Sequence, residues 1–225
     1  MVLLMVDSEA GQATPRRIMA WLRRHWLRLL AHLAAMVPLV GLVRALLVGS
    51  FLFDPIKEAT IRTGRLAALF LLLTLTCTPL ATISGWRRLR RARRPLGLWS
   101  LVFATMHMLV FVVWDYGLDL QLLRTGILAQ SFVLVGMGSF LILLLLGVTS
   151  WPSLQRRMGR SWRWVQRGIY AAAVLDVWHI VWVKKSPWEA RQFIVALGVL
   201  LVLRLPPVSR GIARLRGSVT ARGAS

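Results

Sequence analysis

A chain of 225 residues could form one ordinary soluble domain, but 57% hydrophobic residues and a mean hydropathy of +0.63 exceed the roughly 45–50% apolar content of such a domain. Lys and Arg number 29 against 8 Asp and Glu, and a net charge of +21 in a soluble chain would suggest nucleic acid. Here the basic residues cluster between long apolar runs, which argues against a nucleic-acid partner and for a chain that uses the lipid bilayer as its solvent.

Residues 1–28 form a basic N-terminus, with 1–15 expected to be flexible. From Arg16 to Leu30 arginines alternate with Ile18, Trp21, Leu22, Trp26 and Leu29, the pattern of an amphipathic segment lying in the membrane interface. No A-x-A-like cleavage site follows, so the first apolar run is expected to remain as an anchor.

Six apolar runs then follow: Leu29–Val43, Leu66–Trp86, Pro95–Trp114, Thr125–Gln155, Gly168–Val183 and Gln192–Leu203. Spanning a bilayer takes about 20 mostly apolar residues, within a range of roughly 17–25. The second, third and fourth runs meet this alone, and the others reach it through flanking Arg or Lys side chains that snorkel. The fold expected is all-α, a polytopic membrane bundle of about six transmembrane helices over residues 29–205, with a basic tail at 206–225. The last stretch, 217–225, is expected to be flexible, and no internal repeat is evident.

Local signals refine this outline. Phe53-Asp54-Pro55 and Thr63-Gly64-Arg65 bracket a short connection before the second span, and threonines 74, 76 and 78 can cover carbonyls that Pro79 leaves open. Pro95 suits a first helical turn, and Asp115-Tyr116-Gly117 closes the third span. Gly136 and Gly138 suit close helix contact, Ser186-Pro187 turns into the sixth span, and Pro206-Pro207 stops it. Tryptophans 26, 86, 99, 114, 151, 162, 164, 182 and 188 fall where an aromatic belt would lie.

The basic clusters sort by side. Arginines 16–28, the six between Arg87 and Arg94, the five between Arg156 and Arg167, and those of the tail would all face one side of a six-span chain. By the positive-inside rule that side is the cytoplasm, so both termini are cytoplasmic and the location is a bacterial inner membrane, crossed several times. The single cysteine, Cys77, leaves no disulfide, no thiolate metal site and no C-x-x-C-H for covalent heme.

Four ionisable groups in or near the spans need a reason, because such groups are costly in lipid: His32, His107, Asp176 and His179. His107 lies 13 residues beyond Arg94, and His179 lies 12 beyond Arg167. At 1.5 Å per residue both imidazoles sit about 18–20 Å from the arginine-rich boundary, at matching depth on two helices. Axial coordination of a b-type heme iron requires such a pair, one nitrogen from each face of the macrocycle. The plainer reading is two buried histidines hydrogen-bonded to carbonyls or threonines. Zinc would need three or four close ligands, and only Asp176 could add one. Asp176, one turn before His179, could accept its second imidazole N–H, stay protonated, or meet a heme-edge group or quinol. His32 is expected at the interface near the inner end of the first span, and His25 among headgroups.

These residues sit within an ordered set: Asp54-Pro55-x-Lys57, Thr63-Gly64-Arg65, Leu71-Leu72-x-Thr74-Leu75, Thr78-Pro79-Leu80, and Arg93-Arg94-x-Leu96-Gly97-Leu98-Trp99 with His107 beyond. Thr149-Ser150, Gly159-Arg160-x-Trp162, Tyr170, His179 and Lys184 follow. The set resembles the heme-binding membrane subunits of bacterial periplasmic methionine sulfoxide reductase systems, the MsrQ type, within the ferric-reductase-like transmembrane group. It covers most of residues 30–205. The resemblance implies an electron-transfer subunit rather than a catalytic one. Electrons would come from membrane quinol or a flavin such as FMN, pass through heme b, and reach a periplasmic molybdopterin-containing reductase that repairs methionine sulfoxide. His107 and His179 match family histidines associated with heme, and His32 matches another of less defined role.

One position departs. Where the family usually carries a further histidine, 13 residues before the one matching His179, this chain has Gln166, a poor iron ligand. One heme is therefore expected, with quinol favoured as donor and Gln166 a candidate contact for quinone or flavin. The alternatives are a ferric or cupric reductase using the same heme route, and a cofactor-free scaffold of the same fold. No nucleotide-binding glycine loop is present, so NAD(P)H is not expected to bind this chain.

Overall fold

The computed structural model describes residues 15–49, 54–184 and 187–222. The readings made for residues 1–14, for Phe53, for Ser186 and for 223–225 lie outside them. The described residues form helices and turns with no strand. In chain order these are α1 Pro15–Leu47, α2 Pro55–Ser84, a 3₁₀ turn Arg87–Ala92, and α3 Arg93–Leu109, which runs on as a π-helical turn Val110–Asp115. Then come α4 Leu120–Ala129, α5 Ser131–Val148, α6 Pro152–Met158, α7 Ser161–Val165, α8 Gly168–Lys184, α9 Pro187–Val202 and α10 Pro206–Arg222.

Local chemistry sets these ends. Asp54 caps α2, its carboxylate accepting the Lys57 N–H at 3.0 Å, with Pro55 in the first turn, where a missing N–H costs nothing. Gly85 ends α2 at φ 76°, a left-handed conformation that glycine adopts without a Cβ penalty. Asp119 caps α4 through the N–H groups of Gln121 and Leu122 at 2.8 and 3.0 Å.

Four helical segments are long and apolar enough to cross a membrane: His25–Leu47, Pro55–Ser84, Arg87–Asp115 and Ser131–Val148. A fifth is formed if Ala190–Val202 and Pro206–Arg216, bent by 72° at their break, count as one span. Among the described residues, four or five spans thus pass on length and composition, against the about six expected. At 17 residues, about 25 Å, α8 stands at the lower limit of a span.

Several boundaries differ from the sequence reading. α1 is unbroken from Pro15, so the basic N-terminal segment and first span are one helix. Thr63-Gly64-Arg65 lies inside α2, which starts eleven residues earlier than the apolar run suggests. The run Thr125–Gln155 is not one helix, because Gln130 adopts extended backbone (φ −118°, ψ 96°) and separates α4 from α5. The tail continues as helix past residue 217, α10 running to Arg222. It folds back on α2, where Arg216 donates to the Thr82 carbonyl at 2.7 Å.

The threonines near Pro79 do not cover the carbonyl it frees. Thr74 and Thr76 hydroxyls donate to Phe70 O and Leu72 O at 2.7 and 2.8 Å. Proline has no N–H, so the open carbonyl is that of Leu75, four residues back. The guanidinium of Arg204, in the elbow between α9 and α10, donates to that oxygen and to the Tyr170 hydroxyl, leaving its own Nε buried with no acceptor.

The interior is centred on α2 and α3, with Leu71, Leu75, Phe103, Thr63, Thr74 and Ser100 fully buried. Many large apolar side chains face outward, Val37 at 73% and Leu47 at 82% exposure among them, as lipid contact requires. Two of the expected belt tryptophans instead serve the interior. Trp99 stacks on Phe103 with ring centres 5.9 Å apart, and Trp162 donates to the Thr149 carbonyl at 2.9 Å.

Candidate functional site

Four helices converge at the end of the bundle away from the arginine clusters. The first turns of α2 and α5 meet the last turns of α3 and α8 around a cavity of about 340 Å³, lined mostly by apolar groups. His107 and His179 both face it, with ring centres 6.2 Å apart and planes at 77°. Matching distance from the two arginine clusters is what brings them level.

Each ring is anchored by a neighbouring helix. His107 Nδ1 lies 2.9 Å from the Thr60 carbonyl oxygen on α2, and His179 Nδ1 lies 2.7 Å from the Phe132 carbonyl oxygen on α5. A carbonyl oxygen only accepts, so each Nδ1 carries the proton and the neutral ring keeps its lone pair on Nε2. This is the hydrogen bonding of a metal-binding imidazole, whose second nitrogen commonly donates to a backbone carbonyl. Close approach is possible because glycines face the rings. A Cβ added to Gly64 would sit 3.2 Å from His107 Nδ1, and one added to Gly136 only 2.8 Å from His179 Nδ1.

The separation has a chemical reading. Two imidazole nitrogens on opposite faces of one iron, each about 2 Å from it, put the ring centres about 6.3 Å apart. The observed 6.2 Å fits that donor set. Three or more His, Cys, Asp or Glu grouped to hold a bare metal ion do not occur among the described residues.

Asp176 lines the same cavity, one turn before His179. Of the three roles open to it, it does not take the His179 N–H, because Phe132 O holds that proton, and among the described residues its carboxylate has no hydrogen bond or ion pair. Arg65, Asp115, Tyr116 and Lys184 also line the cavity, and the π-helical turn begins three residues after His107. Such turns recur at functional sites.

The other two candidates lie elsewhere. His32, on α1, does not line the cavity. It accepts the Trp99 Nε1–H on its Nδ1 at 2.9 Å, and its own ring is exposed. Gln166 sits between α7 and α8 at the arginine-rich end, where its amide nitrogen donates to Leu146 O and Thr149 Oγ1, each at 3.1 Å. The structure also adds groups that the sequence reading missed: the carbonyls of Thr60 and Phe132, and Gly64 as the seat of an imidazole. Gly136 was noticed only as a small residue. Any residue type supplies a carbonyl, so only the glycines could have signalled these contacts.

The chain is similar to known proteins over most of its length. Residues 63–177 match the family described as ferric reductase like transmembrane component. Among similar proteins are the protein-methionine-sulfoxide reductase heme-binding subunits MsrQ of Klebsiella pneumoniae and Cronobacter sakazakii. Each is 39% identical to this chain, over 178 residues (78% of the chain, 88% of the relative) and 181 residues (79% and 89%) respectively. The subunit of the same name from an Enterobacter species is 35% identical over 178 residues, 78% of this chain and 89% of its own. The chain therefore belongs to the MsrQ family of heme-binding subunits, within the ferric-reductase-like transmembrane group.

Proposed function

We propose that this membrane redox subunit binds one heme b between His107 and His179 and conducts electrons through it to a periplasmic reductase that repairs methionine sulfoxide. The observation that carries the reading is the pair of imidazoles 6.2 Å apart, each with Nδ1 fixed on a backbone carbonyl, which leaves a lone pair on Nε2, and both lining one cavity. Heme would supply a one-electron carrier there. The protein's own part is to hold the two rings, exclude water with the apolar lining, and place Arg65 and Lys184 where they meet carboxylates of a bound group. Asp176 is assigned to the edge of that group or to a quinol. With α8 counted as a span the chain crosses six times, and the basic clusters then support cytoplasmic termini in an inner membrane, which puts the cavity in the periplasmic half, nearest the acceptor.

Membrane quinol is the electron donor in this reading, and the acceptor is a molybdopterin-containing subunit. Its support is the family name of the relatives together with the absence of imidazole at Gln166, whose amide nitrogen is already committed to α5. FMN and a direct role for His32 have no such support, since His32 lies off the cavity and already bonds Trp99.

The test is a reduced-minus-oxidised visible spectrum of the purified protein, with heme stoichiometry. One low-spin b-type heme is expected, lost in both His107→Ala and His179→Ala. A protein that takes up no heme when supplied with excess would be a scaffold, and two hemes per chain would refute the reading of Gln166.

A further inference from the structure

The contacts that seat the two imidazoles are the same contacts twice. In the α2–α3 pair, His107 bonds Thr60 O, its ring lies against Gly64, and the Ser100 hydroxyl donates to Ala67 O at 2.9 Å. In the α5–α8 pair, His179 bonds Phe132 O, its ring lies against Gly136, and the Ser139 hydroxyl donates to Ala172 O at 2.9 Å. Both carbonyl–imidazole bonds join residues 47 apart, and both serine bonds join residues 33 apart. Every position recurs 72 residues later: 60 and 132, 64 and 136, 67 and 139, 100 and 172, 107 and 179. The interhelix serine bond survives with its direction reversed, from α3 to α2 in one pair and from α5 to α8 in the other.

That reversal shows what is held constant. The hydroxyl changes helix, yet the crossing height it fixes does not. The spacing is kept although the connections differ, a 3₁₀ turn after α2 and the two short helices α6 and α7 after α5. Of these five positions, only the histidine and the glycine keep their identity at both places.

We propose that α2–α3 and α5–α8 are two copies of one imidazole-presenting hairpin, in which Gly64 and Gly136 are positioning residues that set the rotation of the His107 and His179 rings. The glycines admit the ring, the carbonyl one turn earlier takes its Nδ1–H, and Nε2 is thereby aimed between the hairpins. The same 72-residue relation pairs Gln166 with Arg94, so neither copy offers an imidazole at the arginine-rich end. The proposal rests on the heme reading for what the rings hold, but not for how they are held.

The gaps predict a graded series. A Cβ at Gly136 would meet the His179 ring at 2.8 Å and must displace it, whereas at Gly64 it meets His107 at 3.2 Å and a small shift suffices. At Gly138 the nearest atom is Leu175 Cδ1 at 3.6 Å, and at Gly97 it is Thr74 Cγ2 at 3.5 Å, ordinary contacts that serve as controls on folding. Two readouts are used on the full chain. The first is the ferric low-spin electron paramagnetic resonance spectrum, whose g-anisotropy reports the angle between axial imidazole planes. The second is ¹⁵N-histidine NMR of protein produced under heme limitation, which reports which ring nitrogen carries the proton.

Gly136→Ala is expected to shift the largest g-value and lose the Nδ1–H tautomer of one histidine, with Gly64→Ala shifting less and Gly138→Ala and Gly97→Ala not at all. Unchanged g-values and tautomers in both Gly64→Ala and Gly136→Ala would overturn the proposal. If wild type binds no heme yet shows two Nδ1–H tautomers that Gly136→Ala disrupts, the seats stand and the heme reading falls.

Discussion

Replacing Arg204 with methionine keeps most of the aliphatic stem and removes every donor from the carbonyl that Pro79 leaves open. Interhelical hydrogen bonds in membrane bundles average only about 0.6 kcal/mol, because the separated helices find other partners. Leu75 O has no such fallback, since the N–H that would have bonded it within α2 is absent from Pro79. A bond from a charged donor is worth about 1.5–3 kcal/mol, and the cation–π contact over Tyr170, 5.2 Å from Arg204 Cζ to the ring centre, adds about 0.5–1 kcal/mol. Against this stands the unpaired Nε, whose removal returns about 1 kcal/mol. The net loss expected for Arg204→Met is about 1–3 kcal/mol.

Pro79→Ala supplies the missing N–H, so in the wild-type background it should be nearly neutral. In the Arg204→Met background it should restore about 1–1.5 kcal/mol, the share belonging to Leu75 O, while the share belonging to Tyr170 stays lost. The assay is reversible unfolding of the four proteins in mixed detergent–SDS micelles, followed by tryptophan fluorescence. A double variant no more stable than Arg204→Met alone would refute the link between the proline and the arginine.

Two further outcomes follow from the site and its surroundings. Gln166→Leu should cost only about 1 kcal/mol, because Leu146 O also receives the Ser150 hydroxyl at 2.7 Å, and it should leave the heme spectrum unchanged. A lost or altered α-band would show that Gln166 reaches the cofactor. Asp176→Asn keeps the shape of the side chain and removes its ability to ionise. Heme content should be retained and, measured at alkaline pH where the carboxylate is ionised, the midpoint potential in a redox titration should rise, since a nearby negative charge opposes electron uptake. An unchanged potential would remove Asp176 from the edge of the bound group.

The sequence showed the histidine pair because depth along a helix can be counted from a charged boundary, and Arg94 and Arg167 gave matching counts. It did not show what holds the rings, because Thr60 and Phe132 contribute only carbonyls and have nothing chemical in common. Gly64 was misread for a physical reason. Within Thr63-Gly64-Arg65 a glycine beside a charge looks like a connection, but here the missing Cβ makes room for an imidazole inside a continuous helix. The repeat escaped notice for a related reason. Of its five paired positions only histidine and glycine match, while the serine moves between helices. The break at Gln130 leaves no mark in an apolar run that reads as helical on both sides. Composition carries the all-helical membrane class securely, whereas apolar length alone does not register the bends and breaks on which the span boundaries depend.

The contact between Arg204 and Leu75 joins residues 129 apart, and that separation orders events during synthesis. When α2 leaves the ribosome, its proline notch is already present and its one possible filler has not yet been translated. The helix must enter the bilayer with an open carbonyl in its second half, covered by water or lipid headgroups until the last elbow arrives. Closing the notch is therefore a late step. It can occur only after α3, α5 and α8 have been made, and so after both histidines are available to meet across the cavity. A chain that stops short of Arg204 would carry the complete ligand pair and still lack the clasp that completes α2.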